Sequence, residues 1–159
     1  MVWEEIERIY KELHTENKYS QIKMTMFNSK SQPQLKGKAA EVRDLGPVMA
    51  RIWKTFHNPG MSVHRNILVV LEGSAHLDQI LNDHPNDIAL PEDAANDLIA
   101  TAFIMLSTWL EFFEHFKDCD VLLFGLTGKG HQLMHACLLS RLGCLLKLSL
   151  DIGAFKCCL

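Results

Sequence analysis

The stretch Pro91–Lys117, PEDAANDLIATAFIMLSTWLEFFEHFK, decides the predicted fold class of this sequence. A proline at the first helical position, followed by acidic residues in the first turn, is typical of a helix start because acids there complement the helix dipole. The middle of the stretch, Ala100–Leu110, is apolar on nearly every side of a helix. Such a helix is predicted to be central to a bundle, with other helices packed around it.

Four further segments carry apolar residues every three or four positions, which predicts an amphipathic helix in each. Gly46-Pro47 is expected to break or kink the second of these helices, because proline removes a backbone donor. Ser62 is expected to cap the third. The sequence therefore predicts an all-α fold, a single-domain bundle of about five helices. The four segments are Trp3–Glu16, Lys38–His57, Ser62–Asn82 and Lys129–Leu150.

Aromatic residues at helical spacing mark the predicted core. Trp53 and Phe56 form one such stripe, and we expect both side chains to be buried. A second stripe in the long helix is also expected in the core, and it consists of Trp109, Phe113 and Phe116. The small residues Gly73 and Ser74 would allow a neighbouring helix to approach the third helix closely.

Two short segments are candidates for extended structure. Tyr19–Phe27 alternates apolar and polar residues, as a half-buried strand does, and Val121–Leu126 is a short apolar run. They would form at most one two-stranded element. The single domain covers residues 1–159, with an N-terminal helix and extended segment (1–37), a helical core (38–142) and an atypical apolar, cysteine-rich tail (143–159).

Composition excludes several functional classes. The chain has 159 residues with 48% hydrophobic and 22% charged residues, so it is long and apolar enough to bury a core. With 16 basic and 19 acidic residues the formal charge is −3, which gives no electrostatic footprint for nucleic acid. The longest apolar run, Leu98–Leu110, is shorter than the ~20 residues that span a bilayer, so no transmembrane segment is predicted.

The cysteines point to a reducing compartment. They number five, and all lie in the last 41 residues, whereas a disulfide framework would have an even number spread through the chain. The first 30 residues are acidic and lack the apolar region of a secretory signal. We therefore expect an intracellular protein, and the sequence does not distinguish cytoplasm from nucleus. The cysteines are Cys119, Cys137, Cys144, Cys157 and Cys158.

A metal site is one hypothesis for the region between the last two predicted helices. His115 and Cys119 are four residues apart at the end of one helix, and His131 and His135 are four apart at the start of the next. Each pair would share a helical face, and imidazole and thiolate are the donors that tetrahedral zinc prefers. The alternative is that the histidines are polar residues at a helix start and Cys119 a buried, small apolar residue. Gln132 stands where a zinc hydrolase would carry its general-base glutamate, so the hypothesis concerns structural zinc.

No complete catalytic motif is present in the sequence. Gly125–Gly130 lies before a predicted helix, but its glycine spacing and the residue after Lys129 differ from those of a phosphate-binding loop. Flexible glycines joining two elements explain it better. There is no Gly-x-Ser-x-Gly elbow. We name no catalytic and no cofactor-binding residue, and favour a protein without enzymatic activity.

Three segments carry a resemblance to a known group of sequences: Lys36–Gly46, Phe56–Pro59 and Lys129–His135. Over about residues 24–142 the chain resembles a multicopy family of uncharacterised open reading frames abundant in dinoflagellate genomes, some of which look derived from mobile elements. The resemblance implies no established activity, substrate or cofactor. Gly130 differs from the larger residue expected there, and Gly143–Leu159 departs from the family, as a truncated or frame-shifted copy would.

Three functional hypotheses follow. The leading one is a non-enzymatic helical domain, a truncated piece of a larger transposon-like protein that acts through protein contacts. The Leu-rich segment from Cys144 onwards would then support self-association. The second is a structural zinc-binding domain. The third is a remnant of a mobile-element nuclease or transferase, which would need acidic residues to converge in a cleft.

Overall fold

Four helices follow one another along the chain in the computed structural model, which describes residues 2–23, 26, 35, 37–87, 89–117, 133–135 and 137. They are α1 (Val2–Glu12), α2 (Ala39–Phe56), α3 (Ser62–Asp83) and α4 (Glu92–Phe116). Residues 133–135 and 137 are also helical, in agreement with the predicted last helix. Within these residues there is no strand, and the all-α prediction is confirmed. No described helix is long and apolar enough to cross a membrane.

Helix α1 ends earlier than its apolar pattern predicts. His14 has a φ of 49°, in the left-handed region that side chains other than glycine rarely adopt. Around it the Thr15 N–H donates to the Tyr10 carbonyl at 3.1 Å and the His14 N–H to the Lys11 carbonyl at 3.3 Å. These two bonds form the Schellman arrangement that closes a helix, and they end α1 before the predicted Glu16.

Helix α2 passes through Gly46-Pro47 without a break. Pro47 has no N–H to donate to a carbonyl of the preceding turn, yet the helix is continuous from Ala39 to Phe56. Its apolar face is buried on both sides of the proline, including Leu45 and Val48. Of the predicted break or kink, the break does not occur, because packing of this face holds the helix together.

The helix starts match the predictions in part. Met61 occupies the N-cap of α3 and no side chain caps it, so the predicted role of Ser62 as the cap is wrong and Ser62 is the first helical residue. At α4, Pro91 precedes the helix by one residue. Glu92 and Asp93 lie in the first turn as predicted.

The core has two parts. One lies between α1 and α2 and includes Ile9 and Val48, covered by Tyr19 from the segment after α1. The other lies between α3 and α4, and helical residues 133 and 137 join it. Helix α2 also packs against α3, so each of the four helices contacts the next one along the chain.

Helices α3 and α4 are antiparallel and are in tight contact at Gly73. A Cβ added there would lie 2.5 Å from Met105 Cγ and 2.9 Å from Met105 Sδ. Contacts on either side run in opposite order: Asn66 of α3 bonds Glu111 of α4, and His76 of α3 bonds Asp97. The prediction that the Gly73-Ser74 pair allows close helix contact is correct for Gly73.

Two predictions about buried apolar residues are wrong. Phe56 is 62% exposed rather than part of the core, whereas Trp53 is half-buried. In α4, the segment Ala100–Leu110 is not enclosed on all sides, because Phe103 and Ile104 are exposed while Ala102 and Met105 are buried. The helix has one buried face, and its opposite face exposes Phe103, Ile104 and Leu110 among polar residues.

The predicted two-stranded element is only partly covered by the structure. Residues 19–23 are described and form no strand, and the Met26 N–H closes a turn by donating to the Lys23 carbonyl at 2.9 Å. Tyr19 is buried and Ile22 packs against the α1–α2 core. Val121–Leu126 lies outside the described residues, as do the glycine loop Gly125–Gly130 and the tail from Gly143.

The close approach at Gly73 makes a stability prediction. Gly73→Val should lower the free energy of unfolding by about 1–3 kcal/mol, because the added methyl groups would displace Met105 in a packed interface. Chemical denaturation monitored by circular dichroism measures it. Gln79→Val on the exposed face of the same helix is the control and should stay within about 0.5 kcal/mol of wild type. Equal effects of the two substitutions would contradict the tight contact.

Candidate functional site

Two of the four predicted zinc ligands, His115 and His135, lie within the described residues. His115 lies exposed in the last turn of α4, with its ring 4.7 Å from that of Phe116 in an edge-on arrangement. His135 is also exposed. Cys119 and His131 lie outside the described residues, so the structure does not test whether the four donors converge. Among the residues that are described, no three His, Cys, Asp or Glu side chains are grouped to hold a metal.

The helical residues 133–135 and 137 include buried and exposed positions. Leu133 and Cys137, four residues apart, are each 2% exposed and belong to the α3–α4 core together with Phe112. Met134 and His135 point away from that core. Cys137 is therefore a core residue, and burial raises the pKa of its thiol to about 11.

Histidine–carboxylate pairs occur at two places that sequence spacing did not single out. His76 Nε2 lies 2.8 Å from Asp97 Oδ2 and joins α3 to α4. His84 Nδ1 lies 2.8 Å from Asp87 Oδ2 in the turn after α3. His76 and Asp97 are 21 residues apart, so no local pattern could have predicted their contact. The His76 pair is largely exposed, and it stabilises the α3–α4 contact as a surface ion pair does.

The nuclease hypothesis requires acidic residues to converge in a cleft, and several acidic residues of the described part have other partners or positions. Glu72 pairs with Lys54 across α2 and α3 at 3.0 Å. Asp87 pairs with His84. Asp78 is buried on α3, one turn after the buried Ser74. No three His, Cys, Asp or Glu side chains of the described residues are grouped to hold a metal.

The α2–α3 turn is held by a specific set of hydrogen bonds. Trp53 Nε1–H donates to the His64 carbonyl at 2.8 Å, and the Asn58 N–H donates to His64 Nδ1 at 3.0 Å. The Trp53 and His64 rings lie 5.0 Å apart. These contacts explain why Trp53 faces inward while Phe56 and Met61 remain exposed on the outside of the turn.

Helix α4 presents a long exposed face that repeats every three and four residues. We call this face the α4 seam. All of its residues are exposed, and Ile104 flanks it with 59% exposure. The spacing is that of the a and d positions of a heptad, the positions through which helices pair in coiled coils. The α4 seam consists of Asp93, Asn96, Ala100, Phe103, Ser107, Leu110, Glu114 and Lys117.

The middle of the α4 seam exposes two large apolar residues. Phe103 is 51% exposed and Leu110 48% exposed, with Ser107 between them, Ala100 one turn earlier and Ile104 alongside. The opposite face of α4 is buried against α3 through Met105 and Phe112. Large apolar side chains left exposed opposite a buried face are typical of an interaction surface.

Because the pKa of the Cys137 thiol is raised in the folded chain, we expect the free energy of unfolding to fall at alkaline pH. The folded chain keeps the thiol proton up to about pH 11, whereas the unfolded thiol loses it near its ordinary value of 9.0. The stability linked to the protonated thiol is therefore fully present below about pH 9. It is lost as the pH rises through the pKa of the folded chain. Unfolding measured from pH 8.5 to 11 should therefore show a smaller loss of stability for Cys137→Ala than for wild type. Equal pH slopes would show that this thiol does not titrate in folding.

The zinc hypothesis predicts one zinc ion per chain, measured by native mass spectrometry with elemental analysis. A chelator should remove the ion together with helical structure, because a structural site couples binding to folding. His131→Ala should abolish zinc retention, whereas His57→Ala in the α2–α3 turn should retain it. A chain that is folded without bound metal would exclude the hypothesis.

Comparison of the chain with protein-family models, with curated proteins and with solved structures finds no match. Its function must therefore be argued from its own geometry. Within the part of the chain that is described, the α4 seam is the feature that internal packing does not explain.

Proposed function

We propose that this chain is a non-enzymatic helical domain that acts through protein contacts, with the α4 seam as its contact surface. One observation carries the proposal: Phe103 and Leu110, seven residues apart on the longest helix, are about half exposed, and Ile104 is exposed beside Phe103. A partner helix laid along this face would remove these side chains from water. Heptad-spaced apolar residues of this kind are the anchors through which helices recognise one another.

The energy available at this surface is modest. Full burial of an exposed Phe, Ile or Leu side chain is worth about 1.5–3 kcal/mol, and these three have about half of that left to gain. Part of the gain is offset by the loss of translational and rotational freedom on association. The surface is therefore suited to a reversible contact, with a partner that also supplies apolar residues in register.

The origin of the domain forms a second part of the proposal. The resemblance to dinoflagellate open reading frames supports a piece of a larger, transposon-like protein. The number and placement of the cysteines support an intracellular setting. In such a setting the domain would join other parts of an assembly through its helices.

A displayed library of amphipathic helical peptides tests the contact function. Peptides selected on the full chain should bind with micromolar affinity in fluorescence anisotropy, because the surface offers only a few apolar side chains. Ile104→Glu should weaken that binding at least about tenfold, because it places a charge in the apolar contact. The affinity is measured by titrating the chain into labelled peptide.

Phe56→Glu is the matched control. Phe56 is another exposed aromatic residue, but it lies at the end of α2 and outside the α4 seam, so its replacement should leave peptide binding unchanged. Selected peptides that are indifferent to Ile104→Glu, or a selection that yields none, would refute the seam as the contact surface.

A further inference from the structure

We infer that the occupant of the α4 seam is a second copy of this chain, with the two α4 helices antiparallel. The inference rests on the proposed function and names its partner. The seam runs from Asp93 to Lys117, about 36 Å along the helix axis at 1.5 Å per residue. Both ends and the centre are exposed, so two seams can meet over their whole length.

Side-chain size is self-complementary in one antiparallel register. In an antiparallel pair each a position faces a d position of the other helix. A two-fold axis near residue 105 places Phe103 opposite Ser107 and Ala100 opposite Leu110 of the second copy. Each large apolar residue then meets a small one, on both sides of the axis, and Ile104 packs beside its own copy near the axis. This alternation of large and small residues is what close helix packing requires.

Charge is complementary in the same register. Asp93 lies opposite Lys117 of the second copy, and Asn96 lies opposite Glu114, to which its amide can donate. Lys117 and Glu114 also form an ion pair within the helix, and all four residues are exposed, so the contacts to the second copy contribute orientation and register rather than much affinity. The antiparallel helix dipoles also favour this arrangement.

The parallel arrangement is unfavourable both in side-chain size and in charge. It would place each residue of the seam opposite its own copy, with Phe103 against Phe103 and Ser107 against Ser107. It would also bring together Asp93 with Asp93 and Glu114 with Glu114, and like charges at facing positions destabilise a helix pair. The sequence of the seam therefore selects the antiparallel pair.

One flanking contact opposes the pairing. Asp97 comes near Glu111 of the second copy, and two carboxylates repel each other. His76 lies 2.8 Å from Asp97, and Asn66 donates to Glu111 at 2.9 Å, so each carboxylate already has a partner on α3. The repulsion reduces the affinity without changing the register. We therefore expect a reversible dimer that is in equilibrium with monomer.

Sedimentation velocity of the full chain at a series of concentrations tests the pairing. The mass should rise with concentration from that of the 18.1 kDa monomer towards twice this value. Phe103→Glu should weaken association at least about tenfold, because two charges would enter the centre of the interface. Phe56→Glu should associate as wild type does. Circular dichroism confirms that each variant is folded.

Disulfide trapping tests the orientation. Chains that carry Ala100→Cys or Leu110→Cys are oxidised separately and as a mixture. Mass spectrometry then determines the mass of the tryptic peptide 66–117, which contains no native cysteine. The antiparallel register predicts a mixed disulfide only in the mixture. Two copies of position 100 would be about 15 Å apart along the axis, beyond the reach of a disulfide.

The outcomes separate this inference from the proposed function. A chain that stays monomeric at all concentrations, or whose dimer is unaffected by Phe103→Glu, overturns self-pairing. The binding of the selected peptides and its loss on Ile104→Glu still test the contact surface by themselves. A disulfide formed by Ala100→Cys alone would show a parallel pair and overturn the antiparallel register.

Discussion

The close contact between α3 and α4 at Gly73 determines what the rest of the structure can do. Met105 fills the space that a side chain at Gly73 would occupy, and this contact draws the two helices together over their length. It fixes the rotation of α4 about its axis, because Met105 must face α3. Once that rotation is fixed, Phe103 and Leu110 are directed outward. The buried core and the exposed α4 seam are therefore two consequences of one packing constraint.

The two parts of the core use different means to hold their helices. Between α1 and α2 the apolar face continues past Pro47, and Tyr19 covers the gap after α1. Between α3 and α4 a glycine allows close approach, and polar pairs such as His76–Asp97 lie at the edges. The contact of α2 with α3 joins the two parts, supported by the bond from Trp53 Nε1–H to the His64 carbonyl. Neither part depends on the exposed face of α4, and that face is exposed in the described part of the chain.

Apolar periodicity predicted the helices and their class, because it reports which residues leave water. Periodicity does not show which side of α4 packs against other helices of the chain. For this reason it predicts a central position for Ala100–Leu110. The same limit applies to Phe56, whose helical spacing resembles that of a core residue. The continuity of α2 through Pro47 and the end of α1 at His14 depend on tertiary packing and on a rare backbone conformation. The contact of His76 with Asp97 joins residues far apart in sequence and had no local signal. Cys119 and His131 lie outside the described residues, so the predicted zinc site stays a prediction.

The apolar side chains that α4 exposes opposite its buried face are unfavourable in water unless a partner covers them. Exposed Phe, Ile and Leu side chains gain nothing for the fold of the helices described and favour nonspecific association. The α4 seam differs from a random apolar patch because its charges lie at its two ends and its large and small residues alternate about a midpoint. Random patches have no reason to be self-complementary under a two-fold axis, whereas isologous dimers require it. That symmetry within the sequence of one helix is the strongest argument that the surface is built for a second copy of the same chain.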